Sequence, residues 1–237
     1  MTPEEHFERH LAFNTYPGRG LVIGNTGSGW VLIYWIMGRS AHSRNRRFVT
    51  MGSTLRTEPI DLSLVEDPSL IIYDAMVDVD RRHIVTNGDQ TRTISEAIEK
   101  GHSFEEALAT REREPDAPNY TPRISGLLDL RSPEPALTLS LLKANSFDQL
   151  LTDRVTFRPA LPPPGYGVGL TTYMGNGSPL PPYTGDPLPL PCSGTPNETL
   201  EHYWKALNPE NRISIAVKWI PSDGGECRIT LINRFDL

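Results

Sequence analysis

The sequence predicts an α+β domain in which antiparallel sheets are covered by helices. Strand-like runs dominate, and most are joined by short turns rather than by helices. Helical spacing is confined to a few separate segments. No internal repeat and no composition shift divides the chain, so residues 1–237 read as one domain, long enough to bury a substantial core.

Residues 2–13 read as a short polar helix, opened by Thr2 or Pro3, with Glu4 and Glu5 in its first turn. Tyr16-Pro17-Gly18 ends it. Gly20 to Gly24 is a short strand, and Asn25 to Gly29 is a turn of residues that tolerate positive φ. Trp30 to Met37 is a continuous apolar run without polar alternation, which predicts a strand buried on both faces. This hairpin delivers Arg39 and Ser40 to the end of a central sheet. Further strands are predicted over 47–53, over 69–73 with 75–79, and over 83–86, with Asn87-Gly88 as the turn that follows.

The period then changes. Ile94, Ala97 and Ile98, and after Gly101 Phe104, Ala107 and Leu108, fall at helical spacing over 93–100 and 103–113. Ser103 and Glu106 have capping-box spacing. Residues 115–123 form a loop, 124–130 and 136–144 are strands, and 147–151 has no clear pattern. Val168 to Met174 reads as a strand. Gly175 to Pro191 is proline-rich and without periodicity, which predicts a long excursion or lid. A helix over 197–207 is capped by Thr195 or Asn197. The alternating strand 212–220 and its hairpin partner 227–233 return to the main sheets.

The formal net charge of −6 argues against a nucleic-acid face, and the longest apolar run is far too short to span a bilayer. The opening residues MTPEEHFERH carry no apolar leader segment, and Cys192 and Cys227 form no CxxC pattern. These features predict a cytoplasmic protein with reduced thiols and no metal centre. His6 and His10 stand four residues apart but lack a third ligand. No GxGxxG, P-loop or GxSxG motif is present in a chemically meaningful context.

Polar groups at strand ends and in loops remain as site candidates. Gly38 to Phe48 places Arg39, Arg44, Arg46 and Arg47 with Ser40 and Asn45 directly after the buried strand. On an acidic chain this cluster suits a small anion, and phosphate matches guanidinium forks best. A solvated basic turn is the plainer reading. The other candidates are Tyr73, Asn87-Gly88 with Thr91, Glu114, the loop ending in Arg123, and Thr171-Thr172-Tyr173. Each has an ordinary explanation alone: a core tyrosine, a hairpin turn, a charge at a helix end.

Taken in order, Tyr16-Pro17-Gly18-Arg19, Arg39-Ser40, Asn45-Arg46, the segment from Pro68 to Tyr73, Thr86 to Thr91, Thr121 to Ile124 and Thr171 to Tyr173 resemble the archaeal-type IMP cyclohydrolase family. The resemblance covers residues 16–130 well and 165–235 loosely, and residues 131–165 and 175–195 look like additions. It implies a four-layer αββα sandwich of antiparallel sheets, like that of the N-terminal-nucleophile hydrolases but without self-processing. It implies closure of formyl-aminoimidazole-carboxamide ribotide to inosine monophosphate, a homo-oligomer, a small-molecule purine ribotide as the partner, and no cofactor or metal. A non-catalytic purine-nucleotide binding or sensing protein on the same scaffold is the alternative. Carried onto this sequence, Tyr73 and Glu114 transfer protons and polarise the formyl group, with Arg39 as the third catalytic side chain. Two of Arg39, Arg46 and Arg123 clamp the phosphate. Ser40, Asn45, Asn87 and Thr91 bond the ligand, Gly88 allows close backbone approach, and Tyr173 walls the pocket.

Overall fold

The structure is a computed structural model that describes residues 1–65, 68 and 71–235. Helix α1 (Pro3–Phe7) is capped by the Thr2 hydroxyl in a capping box with Glu5 and runs on as a π-helical turn, Glu8–Ala12. Strands β1 (Gly20–Asn25) and β2 (Gly29–Met37) form the expected hairpin, and every residue of β2 is buried. Helix α2 (Ala41–Arg44) is one turn closed by a Ser40–Ser43 capping box.

The chain next lays down a seven-stranded antiparallel sheet in sequence order. Its strands are β3 (Arg47–Met51), β4 (Thr54–Glu58), β5 (Tyr73–Val79), β6 (Arg82–Thr86), β7 (Arg123–Asp129), β8 (Ala136–Ala144) and β9 (Thr152–Phe157). Helices α3 (Gln90–Glu99) and α4 (Phe104–Ala109) interrupt it between β6 and β7. The remainder returns to the first hairpin as β10 (Tyr166–Thr171), β11 (Leu188–Pro191), helix α5 (Pro196–Ala206), β12 (Arg212–Pro221) and β13 (Arg228–Asn233). The six-stranded sheet has the order β11-β10-β1-β2-β12-β13.

Four layers result. Period-two alternation sends Ile84 and Leu127 outward onto Ile94, Ile98, Phe104 and Leu108 of α3 and α4. Their chain neighbours Val85 and Leu128 point inward to the core shared with β1 and β2. Leu200 and Tyr203 of α5 pack on the opposite face of the six-stranded sheet, where Tyr203 meets Trp35. β2 is covered on both sides, which explains its unbroken apolar run.

A buried polar pin helps to join the sheets. The fully buried Lys218 of β12 donates from Nζ to Asp78 Oδ1 of β5 at 2.5 Å and to the Ser53 carbonyl at 2.7 Å. The His83 Nδ1–H donates to the same carboxylate oxygen at 2.7 Å.

The structure corrects four expectations. β4 and β9 each contain three consecutive polar residues, Arg56-Thr57-Glu58 and Thr152-Asp153-Arg154, which break the alternation that marks a strand; β9 is a sheet edge and β4 neighbours one. Part of the proline-rich stretch is also a strand: β11 tolerates Pro189 and Pro191 because it too is a sheet edge. Tyr73 begins β5 rather than ending a strand; positions 69 and 70 of the expected strand lie outside the described residues. Helix α3 starts at Gln90, so Asn87-Gly88 joins β6 directly to a helix.

Candidate functional site

A cavity of about 420 Å³ opens at the end of the sandwich where β2 runs out and β5 begins. It lies within the range of about 300–1,000 Å³ that holds small ligands. Three groups of side chains line it.

The first is an ion pair on a strand entrance. Gly18 has φ of +72°, and a Cβ there would fall 2.2 Å from Thr172 Oγ1. This turn directs Arg19 inward, and the Arg19 backbone N–H donates to Thr172 Oγ1 at 3.1 Å. Arg19 is buried, and its guanidinium donates to the Asn87 carbonyl and to Glu114 Oε2, each at 2.8 Å. Burial works against its charge, but the Glu114 carboxylate and the Tyr73 and Tyr34 hydroxyls outweigh that and hold its pKa well above the ordinary value. Glu114 is itself buried, and its Oε1 has no hydrogen-bond partner among the described residues. The Tyr73 and Tyr34 hydroxyls bond each other at 2.7 Å.

The second group is cationic. Arg39 is exposed, lies over the Tyr16 ring at 4.9 Å, and donates to the Gly177 carbonyl at 3.0 Å and to Asn176 Oδ1. Arg46 is buried; its Nε donates to the Ser43 carbonyl at 3.0 Å, while its Nη groups have no hydrogen-bond partner among the described residues. Ser40, His42 and Ser43 complete this end. Arginine forks beside hydroxyls are the chemistry of a phosphate cradle.

The third group is Asp116, Thr121 and Tyr173, linked hydroxyl to hydroxyl to carboxylate. Leu180, from the proline-rich stretch, adds an apolar wall and is tied by its backbone N–H to Asn119 Oδ1 at 3.0 Å.

The structure therefore brings Arg39, Ser40, Arg46, Glu114 and Tyr173 together around one cavity. Tyr73 lies behind its wall, against Tyr34. The remaining residues are used elsewhere. Asn45 accepts from the backbone N–H groups of Ile60 and Asp61 and donates to the Asp61 carbonyl. Asn87 bonds Pro122, Gln90 and Ile124 through its side chain and serves the site through its carbonyl. Thr91 bonds Thr86 and the Gly88 carbonyl. Arg123 is held by Asp89 at 2.7 Å and Gln90 at 2.8 Å. A Cβ on Gly88 would fall 2.6 Å from Arg123 Nη1, so its close approach is to protein. Arg19, Tyr16 and Asp116 line the cavity without having stood out as site residues. Tyr16 and Arg19 figured only in the Tyr16-Pro17-Gly18-Arg19 segment of the family resemblance, with no role assigned to either.

Among the described residues one other cluster has the residue types of a metal site. Asp78, His83 and Cys227 bring ligand atoms within 4.8 Å of one another. The Lys218 ammonium on Asp78 already supplies the positive charge there. The described residues include no helix long and apolar enough to cross a membrane.

A family model described as "IMP cyclohydrolase-like protein" matches residues 16–224. No curated protein matches the chain.

Proposed function

The chain belongs to the IMP cyclohydrolase-like family, and on that premise we propose that it is an IMP cyclohydrolase of the cytoplasm. It closes formyl-aminoimidazole-carboxamide ribotide to inosine monophosphate, the last step of purine biosynthesis. The observation that carries this reading is the buried Arg19, clasped by Glu114 and Asn87 beside a cavity whose other end is built from Arg39, Arg46 and serines. A fixed internal cation and a separate anion cradle are what a ribotide with a reacting formyl group requires.

The chemistry needs little more. The carboxamide nitrogen attacks the formyl carbon within one molecule, so holding the reactive conformer supplies much of the acceleration. Negative charge develops on the formyl oxygen, and Arg19 stabilises it from a position that needs no reorganisation. That oxygen leaves as water, taking one hydrogen from the carboxamide nitrogen and one from the formylamino nitrogen. Glu114, through its unpartnered Oε1, is placed to carry the second. Tyr73 supports the Arg19 charge from behind. Arg39 and Arg46 hold the 5′-phosphate. The four-layer order supports an N-terminal-nucleophile-hydrolase-like scaffold used without self-processing.

Comparing the ribotide with the corresponding riboside tests this. The phosphate-free compound is expected to lose about 100-fold or more in kcat/KM, the worth of two charge-assisted hydrogen bonds. Arg46→Ala is expected to lower kcat/KM for the ribotide while leaving the riboside unchanged. Equal processing of both compounds would remove the phosphate cradle from the account.

A further inference from the structure

The three linked groups Asp116, Thr121 and Tyr173 have a fixed polarity that follows from donor counting. Asp116 accepts the Thr121 backbone N–H at Oδ1, 2.7 Å away, and meets the Thr121 hydroxyl at Oδ2. A carboxylate only accepts, so the single hydroxyl hydrogen of Thr121 is committed to Asp116. Thr121 Oγ1 must then accept from the Tyr173 O–H. The Tyr173 oxygen is left with lone pairs alone, and Tyr173 is one of the residues that line the cavity. It is complementary to an N–H of the ligand, not to a carbonyl. The Tyr34–Tyr73 pair has no carboxylate to orient it and therefore no such fixed direction.

We propose that this chain is a proton relay that takes the carboxamide proton of the substrate, with Asp116 as its terminal base; the proposal rests on the cyclohydrolase reading. As the N–C bond forms, the carboxamide N–H breaks and its proton passes to the Tyr173 oxygen. The Tyr173 proton moves to Thr121 Oγ1, and the Thr121 proton moves to Asp116 Oδ2. The carboxylate becomes a carboxylic acid, both hydroxyls are restored, and the negative charge arrives on the former formyl oxygen beside Arg19. Running the shift backwards returns that proton to the departing oxygen. Tyr173 is touched by substrate; Thr121 and Asp116 act through it. Burial pushes the Tyr173 phenol well above its usual pKa, so free tyrosinate is disfavoured as a base, and the relay avoids forming it. The geometry is locked by the Glu114 N–H to Thr121 carbonyl bond at 3.0 Å, which ties the relay loop to the residue that clasps Arg19.

Thr121→Val, Thr121→Ser and Asp116→Asn separate the possibilities, each measured for kcat and KM with the formylated ribotide and for inosine monophosphate binding by calorimetry. Thr121→Val and Asp116→Asn are expected to lower kcat about 100-fold or more, the usual worth of a positioned base. KM and product binding should stay within about threefold, because the phosphate cradle is untouched. Thr121→Ser keeps the hydroxyl and is expected near wild-type kcat. A Thr121→Val protein with wild-type kcat would overturn the relay, as would a serine variant that falls as far as the valine variant. Asp116→Asn turning over normally would do the same. If the wild-type protein turned over no ribotide, the cyclohydrolase reading would fall and the relay with it, a result distinct from an active wild type indifferent to Thr121.

Discussion

Replacing Arg19 by methionine is expected to lower turnover of the formylated ribotide by about 10²–10³, the effect of removing one donor to a developing oxyanion. The same change should destabilise the fold by about 3–5 kcal/mol, because it leaves the buried Glu114 carboxylate without its partner. The two effects come apart in the double variant Arg19→Met with Glu114→Gln. Removing both charges leaves nothing ionised in the buried position, so most of the stability should return. Turnover should not return, since neither the cation nor the proton carrier is present. Urea denaturation and steady-state rates on the two single variants and the double variant make the test a double-mutant cycle. A double variant that regained turnover along with stability would show that Arg19 acts only by holding the fold.

The second large effect lies at the polar pin between the sheets. Asp78→Asn strands the Lys218 ammonium, which is fully buried, and should cost about 3–5 kcal/mol of stability. Adding Lys218→Met should recover most of it. The ion pair also predicts an acid-sensitive contribution. Burial works to raise the Asp78 pKa, but the His83 hydrogen bond and the Lys218 charge outweigh it and bring the carboxyl down from 3.8 to about 2. The folded state therefore binds this proton less readily than the unfolded chain. The stabilisation is fully present above the unfolded value of about 4 and is lost as pH falls toward the folded value of about 2. Denaturation midpoints across that window should fall more steeply for the wild type than for the double variant; parallel profiles would contradict the assignment.

Much of this architecture was written in local pattern. β2 announced itself because a strand covered on both faces has no polar positions, and α4 because its capping box is a local motif. β4, β9 and β11 did not, because at or near an edge a strand tolerates consecutive polar residues, as in β4 and β9, or prolines, as in β11. The site was legible at its cationic end, where Arg39, Ser40 and Arg46 are close in sequence. At Arg19 the segment Tyr16-Pro17-Gly18-Arg19 was legible but the role was not, because its partners Asn87 and Glu114 are 68 and 95 residues away. Asn45 and Arg123 show the reverse case. Both are residue types that recognise nucleotides, yet one secures the backbone at 60–61 and the other is paired to Asp89. Residue type proposes a contact, and only the fold decides which partner receives it.

The central claim is that this cavity accelerates ring closure. The most direct measurement is the rate at which formyl-aminoimidazole-carboxamide ribotide is converted to inosine monophosphate with and without the purified protein, with no metal or cofactor added. The account predicts a saturable rate far above the spontaneous closure that collapses in Arg19→Met. Tight inosine monophosphate binding with a conversion rate no greater than the spontaneous one would contradict it.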